Sequence, residues 1–240
     1  MPFRQQRAAD LESFALLLEG VGFSNLHAIR DTVTLLRDKL YGLHTPGTTD
    51  YACWGYKIND LTIELNSLPR HVRPRTIHTI SIVIDTDILA KCDQWETMND
   101  PFIKMNFRVK IVGIDTRRKY FTGFHIDKHT GTNHPTEVHP LYHLQYAPSV
   151  AKGAGFGSLL TLDTPRIMHP PVELILGLDL VISNFLPETW NKLKNQPAYL
   201  ALQKKYQNAL WKPYLLTLAS NWANHDPVTW NRFDLCPHFN

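Results

Sequence analysis

A chain of 240 residues with 43% hydrophobic and 20% charged residues has the make-up of an ordinary globular protein and is long enough for one large domain. Its formal net charge of +3 permits an acidic partner without requiring one. Cys53, Cys92 and Cys236 are odd in number, widely spaced and free of any CxxC pair, which excludes a disulfide framework or zinc ribbon and points to a reducing interior.

No targeting segment is legible. The apolar run from Phe14 to Leu18 is cut short by Glu19. The most apolar stretch, Val172 to Phe185, carries Glu173 and Asp179 and falls short of the roughly 20 residues that span a bilayer. A cytoplasmic protein, with no membrane contact and with that stretch as a buried helix, is expected.

In chain order, a helical start is expected over 8–41. Leu11, Phe14, Ala15 and Leu18 share one face of a first helix from Ala8, which Gly20 and Gly22 end. Ser24 offers a cap for a second helix. Its apolar seam is Leu26, Ile29, Val33, Leu36 and Leu40, with Arg30, Asp31, Arg37 and Asp38 outside.

A sheet is expected over 58–163, after a loop from Thr45 to Tyr56 that contains Pro46, Gly47 and Gly55. Leu61, Ile63 and Leu65 alternate as in a short strand. Thr76 to Asp85 is rich in β-branched residues, and 86–100 reads as a connection. Ile103, Met105, Phe107, Val109 and Ile111 alternate with Lys104, Asn106, Arg108 and Lys110, so one side of the sheet is wet or covered by something polar. A turn at 115–118, strands at 119–127 and 138–146 and a last strand at 159–162 complete an antiparallel meander of four or five strands.

A helical finish is expected over 170–222. His169-Pro170-Pro171 opens one helix, with Glu173 at its positive end, and Pro187 marks its end. A second helix runs from about Pro197 to Trp222, kinked or split at Pro213. The fold class is therefore α+β, one domain over 1–240 with helices before and after the meander. This order is compatible with a ubiquitin-conjugating-like fold, but no cysteine follows the meander to serve as a thioester nucleophile.

Candidate chemistry centres on Lys119 to Tyr146, where five of the twelve histidines fall between His125 and His143. If strands 119–127 and 138–146 are neighbours, the turn brings His125 and Asp127 near His139. Two histidines and a carboxylate on adjacent strands make a divalent-metal site with open positions. Four residues along a strand span about 13 Å, while a ligand atom lies near 2 Å from its metal. His143 is thus expected outside the shell that holds His139, and His129 and His134 lie in the loop. Against the metal stand structural histidines bonded to buried backbone, or acid–base work by one histidine alone, because the spacing matches no HExxH-type motif.

Other candidates are simpler. The glycine-rich 152–158 precedes a strand and opens no helix, so it is no phosphate cradle. Asp85 and Asp87 are turn residues or an ion site. Asp179, in an apolar helix, needs a partner, either Arg166 or a central histidine. Arg70, Arg73, Arg75, Arg117 and Arg118 lie in two connections and form a phosphate-binding patch if these share one end of the sheet, with Tyr56, Tyr120 and Phe121 available for stacking.

The segments HPLYHLQY, DTPRIMHPPVELILGLDLVISNF and QNALWKPY together resemble a set of uncharacterised bacterial proteins over roughly residues 119 to 215. The resemblance implies a bacterial source and transfers no activity. Two functions are expected. The first is a non-catalytic binding subunit of a bacterial multi-protein system, such as anti-phage defence, contacting protein partners or a second copy and nucleic acid. The alternative is a metal-dependent hydrolase or nuclease using His125, Asp127 and His139.

Overall fold

The computed structural model describes residues 2–38, 53–65, 67–69, 72–95, 97–129, 139–146 and 165–223. Two helices, α1 (Pro2–Gly20) and α2 (His27–Arg37), precede the strands β1 (Cys53–Glu64), β2 (Thr79–Lys91), β3 (Phe102–Ile114), β4 (Lys119–Lys128), β5 (Tyr142–Tyr146) and β6 (Ile167–Met168). The helices α3 (Leu174–Phe185), α4 (Pro187–Leu193), α5 (Pro197–Tyr206) and α6 (Lys212–Ala223) follow. All six strands lie in sequence order in one antiparallel sheet. The α+β class and the meander flanked by helices are as the periodicity implies.

Several boundaries move, each for a physical reason. β1 starts at Cys53, inside the expected loop. Gly55 is a strand residue there, because a Cβ at this position would meet the carbonyl oxygen of Ile88 at 2.3 Å. β2 runs on through the expected connection to Lys91. A bulge between Ile58 and Leu61 places Asp60 at φ 56°, and the Asp85 carboxylate accepts from the Asp60 N–H at 2.9 Å. Asp85 therefore secures a bulge.

On β3, Met105, Phe107 and Val109 are buried as expected, but Ile103 is 40% exposed. A second bulge pairs Ala90 with Phe102 and Leu89 with Lys104, so Phe102 takes the inner position. The last expected strand, 159–162, lies outside the described residues, as do the glycine-rich 152–158, His134 and residues 39–52 with Leu40. The short β6 pairs with β5 instead.

One continuous apolar core runs from Ala8 in α1 to Leu218 in α6. α3 lies so close to the sheet that a Cβ on Gly177 would sit 2.3 Å from the Phe107 ring. Its cap is Glu173, one residue before Leu174, and the prolines lie ahead of the helix. The Glu173 carboxylate accepts from the N–H groups of Ile175 and Leu176 and from the Tyr56 hydroxyl. Ser24 caps nothing, since α2 starts at His27 with no side-chain cap.

α1 begins at Pro2, six residues before the expected start. Arg7 is 1% exposed and lies about 5 Å from the Phe3, Trp95 and Tyr206 rings while pairing with Asp10 at 3.1 Å. Asp179 accepts from Tyr199 and Trp190, and not from Arg166 or a histidine. Pro213 does not break the C-terminal helix, which runs from α5 (Pro197–Tyr206) through a π turn into α6 (Lys212–Ala223) without a gap. The π-helical turn, Gln207–Trp211, sits just ahead of Pro213 and relieves the clash a proline makes with the carbonyl one turn back.

Candidate metal centre on the polar face

Residues directly paired across strands point to the same face of a sheet. One row of the polar face reads Lys57, Asp87, Asn106, Asp127, His143 and Met168 from β1 to β6. The adjoining row reads Asp85, Arg108, His125 and Gln145. Asp87 is engaged by Lys104. The exposure of Lys57, Lys104 and Arg108 keeps the middle of this face wet.

His125, Asp127 and His143 each offer a ligand atom, all within 4.8 Å of one another. Nε2 of His143 stands 3.0 Å from Oδ1 of Asp127, and Nε2 of His125 stands 3.8 Å from Oδ2 of the same carboxylate. His143 is 2% exposed, and its Nδ1 lies 3.2 Å from the carbonyl oxygen of Pro140. A carbonyl oxygen can only accept, so Nδ1 carries a proton that it donates there. On a neutral ring, Nε2 then presents a lone pair to Asp127.

Burial pushes the His143 imidazole down to about 4, with His125, Arg166 and His129 adding to the effect against the Pro140 bond. Burial also lowers His125, against the attraction of Asp127, and raises Asp127, against its histidine neighbours. Near neutral pH His143 is therefore uncharged, and its lone pair faces a buried carboxylate oxygen that accepts no hydrogen bond. Two acceptors 3.0 Å apart repel, and a cation between them removes the repulsion. A histidine whose second nitrogen donates to a backbone carbonyl is the usual form of a metal-bound histidine. The residues present fit a divalent transition metal held by two imidazoles and a carboxylate, with positions left open.

His139 falls outside this trio, contrary to expectation, and His143 falls inside it. β4 begins at Lys119 as expected, but β5 starts at Tyr142 and not at 138, with Asp127 opposite His143 and His125 opposite Gln145. The distance arithmetic assumed an extended chain from His139 to His143. The chain bends at Pro140 and Leu141, and the two rings lie 4.7 Å apart in a T-shaped contact.

His139 in turn stacks near His129, with centroids 3.9 Å apart. Nδ1 of His139 and Nε2 of His129 are buried without hydrogen-bond partners. Burial and the positive neighbours hold the His139 imidazole down at about 4. These two rings form an outer layer around the trio. The signal that finds His143 from sequence is Pro140, which cannot donate to a ladder and so ends the loop just before β5.

Arg73 and Arg75 do reach the same end of the sheet as Arg117 and Arg118. Thr76 donates to Asp115 in the β3–β4 turn, and the His78 N–H bonds to Ile114. All four arginines are exposed, and Arg70 lies outside the described residues. Asp115 organises the turn by accepting from the backbone N–H groups of Arg117 and Arg118 and from Tyr120, which hold its carboxyl down at about 2. Tyr56 is buried under α3 and is not available for stacking, whereas Phe121 is half-buried on the polar face.

On the opposite face, at this same end, Ile80, Ile82, Ile111 and Phe185 line a groove of about 650 Å³ with Arg73 at its rim.

The fold and the cluster define an α+β protein with an uninterrupted antiparallel meander that carries a candidate two-histidine, one-carboxylate centre. Comparisons with protein-family models, with curated proteins and with solved structures each return no match. Among the described residues, no helix is long and apolar enough to cross a membrane.

Proposed function

We propose that this protein binds a divalent transition metal through His125, Asp127 and His143 and is a metal-dependent hydrolase. The observation that carries the reading is the 3.0 Å approach of His143 Nε2 to Asp127 Oδ1 with His143 Nδ1 committed to Pro140. A metal there lowers the pKa of water and polarises a scissile ester. Asp127 supplies the charge that balances the ion. His125 closes the ligand set from the exposed side, and the Pro140 carbonyl fixes the His143 ring. His139 packs against the His143 ring and shields it.

Elemental analysis of the purified protein tests this directly. About one equivalent of zinc, manganese or iron is expected, lost on His143→Ala, together with metal-dependent cleavage of bis(p-nitrophenyl) phosphate. Absence of bound metal after reconstitution with each of these ions ends the reading.

A second reading, a non-catalytic binding subunit of a bacterial multi-protein system that contacts a protein partner or a second copy, is supported by the apolar groove of about 650 Å³ rimmed by Arg73. Sedimentation of the purified chain, with and without Leu68→Asp at the exposed lip of the groove, reports whether the groove joins two copies.

A further inference from the structure

We propose that the substrate of this centre is a single-stranded nucleic acid, laid along the polar face of β3 and β4 from the arginine-bearing turn to the histidines. The inference rests on the hydrolase reading for its chemistry, and on the layout of charge for its ligand.

Two guanidiniums flank His125. Arg108 is its direct partner on β3. Arg166 immediately precedes Ile167, whose partner is Leu144, so it falls beside Gln145 at the other end of the same row. The acidic neighbours on β2 are already engaged, Asp85 by the Asp60 N–H and Asp87 by Lys104. An anion at the centre therefore meets Arg108 on the β3 side.

Cations continue away from the site, with one row, Val112 and Phe121, that carries none. One row from Arg108 stands Lys110, with its ammonium 5.0 Å from the centre of the Phe121 ring. Next come Phe121 itself, opposite Val112, then Lys119 opposite Ile114, and then Arg117 and Arg118 in the turn. Six residues of β4 separate His125 from Lys119, which is about 20 Å of strand. A line of cations interrupted by one aromatic ring suits a phosphate backbone whose bases stack, as in single-strand grooves. A lone small phosphoester has no use for the distal charges.

In the reaction, the oxygen of water forms a new bond to phosphorus while the ester bond to the leaving sugar oxygen breaks. That oxygen takes a proton, and the products are one phosphate-terminated and one hydroxyl-terminated strand.

The test measures binding apart from metal. Fluorescence anisotropy with fluorescein-labelled dT12 and U12 in EDTA is followed from about 20 to 300 mM salt. The wild-type chain is expected to bind at low salt, with affinity falling linearly on a log–log plot. Arg108→Gln/Lys110→Gln removes two charges and is expected to reduce the slope by about 1.4, at roughly 0.7 per phosphate contact. Phe121→Ala is expected to weaken binding about tenfold at fixed salt. Both variants are compared with wild type for metal content and melting temperature.

No binding of either oligonucleotide in EDTA by folded protein that was shown beforehand to load metal overturns the inference and leaves the hydrolase reading standing. A slope unchanged in the double variant also overturns it. A metal-free protein that still binds with the expected slope removes the hydrolase and leaves the nucleic-acid ligand.

Discussion

Asp127 and His143 are direct cross-strand partners on β4 and β5, and their side chains meet at 3.0 Å through two atoms that both accept. This contact ranks the histidines. His143→Ala or Asp127→Ala should weaken zinc binding by more than about 100-fold, the upper end of losses for residues outside the ligand set. His139→Ala should cost about tenfold or less, since its ring only packs on His143. Competition with a chromophoric chelator gives the order. Equal losses at residues 139 and 143 would restore the ligand set expected from sequence.

Glu173 ties pH to stability. It is 1% exposed, and burial raises its carboxyl to about 7 against the three hydrogen bonds it accepts. A carboxyl raised above its unfolded value near 4.5 binds a proton in the fold that the unfolded chain has released. Its stabilising contribution is thus complete below about pH 4.5 and is lost as pH rises towards 7. Glu173→Gln keeps an oxygen to cap α3 and removes this titration. Urea midpoints at pH 5 and pH 8 should separate more in wild type than in Glu173→Gln, by up to about 3 kcal/mol. An identical separation in both proteins contradicts the assignment.

Gly177 is in a helix where alanine would ordinarily gain about 1 kcal/mol. Here a Cβ meets the Phe107 ring at 2.3 Å, and Gly177→Ala should instead lose about 1–3 kcal/mol through overpacking. Phe107→Leu in the same chain should recover part of that loss. Chemical denaturation of the two single variants and the double variant measures the coupling, and additive losses would mean that α3 shifts freely on the sheet.

Asp10 serves three groups at once, pairing with Arg7 and Lys205 and accepting from the Tyr206 hydroxyl. It joins α1 to α5. Asp10→Ala leaves the Arg7 charge among aromatic rings without this carboxylate, and should cost about 3–5 kcal/mol, as for other broken buried pairs. Urea unfolding checks it. A cost below about 1 kcal/mol would show that the aromatic rings and remaining neighbours of Arg7 suffice.

The period of two on β3 and the three-and-four spacing on α2 placed these elements correctly, because burial on one face is written locally in the order of apolar residues. Where a residue acts against its type, local reading failed. Gly55, expected in a loop, makes room for a neighbouring strand, and Arg7, ahead of the expected start of the first helix, fills an aromatic cage. Ile88 is far from Gly55 in sequence, as Trp95 and Tyr206 are from Arg7.

The sequence by itself determined the helix–meander–helix order, the polar face of the sheet and the concentration of histidines in the middle of the chain. Which histidine faces Asp127 was decided only in the tertiary structure. Register has a period of two, so starting β5 at Tyr142 chooses the pair opposite each residue of β4. That start is set by Pro140 and by the pairing of β5 with β6 more than twenty residues later. No local pattern around His125 or Asp127 carries that information.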